Sequence, residues 1–363
     1  MAEYTFATKT LHHLVLDNPL IKKVGFDIDC VFSRLRYTHV QAPPPVFIAG
    51  LARAGTTILL EALYSTRQFT TLTYRDMPFV TSPLIWRALT ASYRHSAEKL
   101  ERAHGDGLYV NFDSPEAFEE VFWMTFTGQK YVQEKWIEPQ FIDEEVVENY
   151  RRFVANIIAK SEGSRSTRYL AKNNNNVLRI NSLKEAFPES IIIVPFRNPF
   201  DHSRSLLAQH QQFRKIHSED TFSLQYMNWL GHFEFGENFK PFRVSDEALP
   251  GHKDELDQLN YWLRYWKCVY EYLIQHHASN VVFFDYDEFC LDPSNCFDRL
   301  GRVLSLDPIL LKPFCSQVRN DTRRGSLPVG IRTLDAQTEK VYKTLKGLSV
   351  HVNSKFEYSC ADR

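Results

Sequence analysis

The sequence predicts an α/β fold, a three-layer parallel sheet with helices on both faces and a helical insertion, and three observations carry that expectation. Short apolar or β-branched runs alternate with longer stretches of helical spacing through most of the chain. One run, Ile191-Ile192-Ile193-Val194, has no polar alternation, as a strand covered on both faces requires. A turn bounded by Gly50 and Gly55 links the first run to a helical stretch, the strand, loop, helix order of an open α/β sheet.

In chain order, residues 1–45 form a polar N-terminal arm ending at Ala42-Pro43-Pro44-Pro45, after which Val46 to Ala49 reads as a short buried strand. Thr56 to Tyr64 has helical spacing and Phe69 to Tyr74 reads as the second strand. From about 83 to 166 the pattern is helical, with Pro83 to Ala103 and Pro115 to Phe126 the clearest stretches and no convincing strand between them. Strands then follow at Arg168 to Ala171, Ile191 to Phe196 and Val281 to Phe284, separated by helical patterns at Val177 to Phe187, Asp201 to Phe213 and Glu255 to Ile274. The segment from about 212 to 252 is irregular and aromatic. All 363 residues are read as one domain.

A formal charge of -1, with 44% hydrophobic and 24% charged residues, offers no global basic field for nucleic acid or an anionic membrane. Any anionic ligand must meet local positive charge. The six cysteines are scattered without a CxxC pair, so neither a zinc site nor a disulfide framework is indicated. The first residues carry charges throughout, without an unbroken apolar stretch, and the expected location is cytoplasmic, with no transmembrane segment.

Gly50-Leu51-Ala52-Arg53-Ala54-Gly55-Thr56-Thr57 has the G-x-x-x-x-G spacing of a nucleotide loop, whose backbone N–H groups and helix dipole hold phosphate. The Lys that follows in ATP- and GTP-using loops is absent, and Thr56 stands in its place. A donor with one phosphate beside the transferred group has no γ-phosphate for that Lys to reach. The loop's cation is Arg53. With Pro45 to Ala49 before it, this segment resembles the 5′-phosphosulfate loop of the sulfotransferase family, in which Lys or Arg and a small residue precede Gly-Thr-Thr.

Further on, Ile191 to Phe196 delivers Arg197 to the carboxyl end of a strand, Asn198 or Asp201 can begin the next helix, and Ser205 lies eight residues after Arg197. An Arg fork with a nearby hydroxyl suits a phosphate monoester. The spacing resembles the family's 3′-phosphate motif. Lys172, at the end of the Arg168 to Ala171 run, resembles the family's Lys near the transferred sulfuryl group, although Asn173-Asn174 replaces the Asp-Pro or Thr-Pro that follows it there. Arg323-Arg324-Gly325 resembles the segment that closes over the 3′-phosphate in cytosolic members.

The resemblance implies sulfuryl transfer from 3′-phosphoadenosine 5′-phosphosulfate (PAPS) to a hydroxyl or amine of a small-molecule or glycan acceptor, without metal. Donor contacts are then Arg53, Ala54, Gly55, Thr56, Thr57, Arg197, Ser205, Arg323 and Arg324. Arg53 and Lys172 supply charge at the reacting group. For the base, Asp76 after the second strand ranks first, then His104, then Glu116, which shares a helix face with Glu119. A P-loop kinase or NTPase, and a nucleotide-binding protein without activity, remain the alternatives.

Overall fold

The computed structural model describes residues 6–36, 42–90, 100–101, 109–161, 168–318 and 334–350. Seven strands are described: β1 (Val46–Ile48), β2 (Phe69–Thr70), β3 (Leu100–Glu101), β4 (Tyr109–Val110), β5 (Arg168–Lys172), β6 (Ile191–Phe196) and β7 (Val282–Asp285). Five of them form a parallel sheet in the order β2-β5-β1-β6-β7. The chain runs from β1 outward on one side and returns to the other side of it at β6. The edge beyond the carboxyl end of β1 is therefore the switch point where ligands bind in open sheets.

Side chains of the central strands alternate between two cores, the period-two consequence of a pleated strand. Val46, Ile48, Leu170, Ile193 and Phe284 pack with Leu59, Leu60 and Leu63 of the helix Thr56–Ser65 and with Phe297 and Leu300 of the helix Pro293–Leu304. Phe47, Tyr169, Ala171, Ile192 and Val194 face the other way, against Tyr150, Phe153, Leu183, Trp266 and Tyr270. Both faces are covered, as the unbroken apolar run of β6 requires.

Three sequence expectations need correction. The polar arm before Pro43 contains two helices, Phe6–Leu16 and Pro19–Arg36, and Leu16 and Phe26 enter the core. The second strand stops at Thr70, because Thr73 and Asp76 form a reciprocal cap that turns the chain into a 3-10 helix at Tyr74–Asp76. Between positions 83 and 166, the described part of the first expected stretch holds the helix Pro83–Leu89 but also β3, which pairs antiparallel with β4, both too short to show a period. The second stretch is helical only over Glu120–Thr127, since Glu116 N–H instead bonds Leu72 O at 3.1 Å beside the isolated Thr73 to Pro115 bridge.

Candidate functional site

The carboxyl edge of the sheet carries a cleft of about 820 Å³. Register fixes its floor: Ile48 at the end of β1 pairs with Lys172 on one side and Ile193 on the other, and Phe196, just before Arg197, pairs with Asp285. Lys172 and Arg197 therefore flank the loop after β1, and all three line the cleft.

The loop is shaped to face an anion with N–H groups. Three successive carbonyls in it are taken: Leu51 O by Ala54 N–H at 3.4 Å, Ala52 O by His202 Nε2–H at 2.8 Å, and Arg53 O by Arg197 Nη1–H at 3.2 Å. The N–H groups of Gly55, Thr56 and Thr57 make no backbone hydrogen bond among the described residues, and they open the helix Thr56–Ser65. Gly55 at φ 94° must be glycine, because a Cβ there would lie 2.2 Å from the Tyr286 ring. Arg53 adopts φ 68°, a left-handed conformation that costs a non-glycine residue about 1–2 kcal/mol.

The two anion motifs touch each other. Arg53 Nε–H donates to Ser205 Oγ at 3.2 Å, while Arg197 donates to the Arg53 carbonyl. Asn198 caps the helix Pro199–Glu219 by accepting from Phe200 and Asp201 N–H, which sets Ser205 on its second turn. The Arg197 guanidinium lies over the Tyr286 ring at 5.3 Å, and Asp287 sits 4.0 Å from Arg197 Nε and accepts the Asn198 N–H. The Arg53 guanidinium thus lies between the two motifs.

His202 completes the loop. It is fully buried; Trp266 Nε1–H donates to its Nδ1 at 3.1 Å, so the proton sits on Nε2. Burial, with Arg197 and Arg53 nearby, pushes its pKa down to about 3 against the pull of the Ala52 carbonyl. The unfolded imidazole takes up a proton near its ordinary pKa of about 6.5. Between these values the unfolded chain binds more protons, and acid favours it. Stability is expected to fall by about 2 kcal/mol from His202 alone on going from about pH 7 to about pH 5, seen as a lower urea midpoint, and His202→Gln is expected to lack that share.

Of the base candidates, Asp76 is not on the cleft wall. It is buried, pairs with Lys160 Nζ at 2.5 Å and accepts from Thr73 N–H at 2.7 Å and Thr73 Oγ1–H at 3.2 Å. It is a cap and a buried ion-pair partner. Glu116, ranked third, does line the cleft, where it accepts from Tyr74 O–H at 2.8 Å and Ala117 N–H at 2.8 Å. Glu119, its sequence companion, is buried and accepts from Trp123, Tyr150, Tyr169 and Asn176 instead. His104, Arg323 and Arg324 lie outside the described residues.

The cleft also holds residues the sequence did not single out for it. His232 donates Nε2–H to Ala117 O at 2.9 Å, and Glu234 accepts from Asn174 at 2.7 Å. Neither lies in a recognisable motif, and both reach the cleft through the irregular segment after Gly231. The four asparagines each tie a different point around Lys172: Asn173 to Glu120, Asn174 to Glu234, Asn175 to the Gly231 carbonyl and Asn176 to Glu119.

A family model described as the sulfotransferase family matches residues 44–239, over half of the chain. No curated protein matches. Among solved structures, sulfotransferase STF9 from Mycobacterium avium aligns at 12% identity with a TM-score of 0.47, over 92% of this chain and 81% of that one. Sulfotransferase STF1 from Mycobacterium tuberculosis aligns at 12% identity and 0.44, over 98% and 88%. A sulfotransferase domain from the curacin biosynthetic pathway aligns at 12% identity and 0.41, over 85% and 99%.

Proposed function

The chain belongs to the sulfotransferase family, and on that premise we propose that it transfers a sulfuryl group from PAPS to a hydroxyl or amine of a small-molecule or glycan acceptor. One observation carries the donor assignment. Arg197 bonds the Arg53 carbonyl and Arg53 bonds Ser205, so two candidate anion-binding motifs meet, and Arg53 and Arg197, one from each, line the cleft. That arrangement suits a nucleotide with anionic groups at two separate positions on one ribose.

In this reading the N–H groups of Gly55, Thr56 and Thr57 receive the 5′-phosphosulfate, and Arg197 and Ser205 receive the 3′-phosphate. Glu116 takes the acceptor proton as the acceptor oxygen or nitrogen bonds to sulfur. The bond from sulfur to the phosphate oxygen breaks, and Lys172, Arg53 and the loop amides stabilise the charge that collects on that oxygen.

Calorimetry on the whole chain tests the donor assignment. The protein is expected to bind 3′,5′-adenosine bisphosphate with a dissociation constant in the micromolar range or below, equally with and without magnesium, and ATP far more weakly. Magnesium-dependent ATP binding, with none to the bisphosphate, would overturn it.

A further inference from the structure

We propose that His202 is a positioning residue of the donor loop, holding the Ala52–Arg53 peptide so that the Ala52 carbonyl points away from the anion the loop receives. The inference rests on the reading that this loop binds the donor's 5′ end.

A peptide plane can turn over with little movement of its neighbours if ψ of one residue and φ of the next change together. Turning the Ala52–Arg53 plane by half a rotation would take Arg53 from φ 68° to about −110°, out of the left-handed region and into one any residue adopts. Backbone preference at Arg53 thus favours the turned loop. In that state the Ala52 oxygen would face the anion and the Arg53 N–H would face away. Something outside the loop must hold the observed orientation.

The neighbouring carbonyls are held by the site itself, Leu51 by Ala54 within the loop and Arg53 by Arg197. The Ala52 carbonyl depends on His202, whose Nε2–H is its one hydrogen-bond donor among the described residues, at 2.8 Å. The ring is aimed from behind. Trp266, fully buried in the helix Leu259–His277, donates to Nδ1 at 3.1 Å and so fixes both ring orientation and tautomer. With the other tautomer, a lone pair would face the carbonyl oxygen and repel it. His202 is not on the cleft wall, so it acts through the peptide and not on the ligand.

The test compares His202→Phe, which keeps a ring but loses the donor, with His202→Gln, whose amide restores an N–H near the Nε2 position. Calorimetry with 3′,5′-adenosine bisphosphate is expected to show at least tenfold weaker binding for His202→Phe and less than threefold for His202→Gln. Turnover with PAPS should show a raised donor KM, with kcat at saturating donor within threefold of the parent. Equal affinity for the parent and the Phe variant would overturn the proposal. If the Phe variant does not fold, Trp266→Phe replaces it: releasing Nδ1 is expected to weaken binding about threefold to tenfold, and unchanged affinity would overturn it.

A crystal structure of ligand-free His202→Phe, or of Trp266→Phe if that variant is the one that folds, gives a readout independent of the donor. A turned Ala52–Arg53 peptide with negative φ at Arg53 supports the brace; the parent orientation retained in the crystal rejects it. A parent protein that does not bind the bisphosphate would count against the donor assignment alone.

Discussion

Replacing Arg179 with leucine is expected to cost about 3–5 kcal/mol of folding stability, the largest single loss foreseen outside the catalytic groups. Arg179 is fully buried, and its Nη1 and Nη2 donate to the two oxygens of Glu120 at 2.5 and 2.7 Å, while Nε donates to Gln140 at 3.1 Å. Its guanidinium also lies 4.9 Å from the Trp123 ring centre and 5.3 Å from that of Tyr131. Glu120 accepts further bonds from Asn173 and Tyr131. Burial alone would raise the Glu120 carboxyl, but the charge and bonds of Arg179 hold it below the usual carboxylate value.

Without Arg179 the carboxylate is left charged in a dry interior, or takes up a proton to avoid it, and either outcome weakens the fold. Urea unfolding should show a lower midpoint at unchanged slope. Pairing the change with Glu120→Gln removes the stranded charge, so the double variant is expected to be more stable than Arg179→Leu alone. A double variant whose losses simply add would mean that the pair is not coupled. The network matters to the site because Asn173 follows Lys172 directly, and Glu120 anchors the turn that points Lys172 at the cleft.

The part of the cleft proposed to take the donor was legible as structure because its geometry is local. A strand, a tight loop and a helix within a dozen residues place Gly50 to Thr57, and a strand followed by an Asn cap places Arg197 and Ser205. Lys172 was found the same way, at the end of β5. The part proposed to face the acceptor is assembled by contacts distant in sequence. Glu116 reaches the cleft only because Pro115 bridges to Thr73, and Asp76 is withdrawn from it by Lys160, 84 residues away. A local signal for Asp76 did exist in Thr73-x-x-Asp76, the spacing of a reciprocal cap.

The helix Pro19–Arg36 was hidden for a different reason. Its inward positions include Lys22, Phe26 and Asp29, spaced as a buried face, yet two of the three are charged. Lys22 donates to the Leu16 carbonyl, and Asp29 accepts from Leu84 and Ile85 N–H at the start of the helix Pro83–Leu89. Hydropathy cannot register a face whose burial is achieved by hydrogen bonds. The asparagine run shows no role in the sequence for a similar reason, since its side chains serve four separate partners and no period relates them.

Glu116→Gln is expected to lower kcat about 10²–10⁴-fold while leaving affinity for the bisphosphate within about threefold. The amide keeps the size of the side chain and can still accept from Tyr74 O–H, but it cannot take the acceptor proton. Asp76→Asn supplies the contrast. Asp76 is bonded to Lys160 and to both donors of Thr73, so its loss should lower the urea midpoint and leave kcat within threefold of the parent. The two carboxylates are thus separable by one pair of measurements, turnover at saturating substrates and equilibrium unfolding. If Asp76→Asn abolished turnover without loss of stability, and Glu116→Gln did neither, the proton would have to leave through Asp76, and the cleft wall would need to open toward the Thr73 turn for an acceptor to reach it.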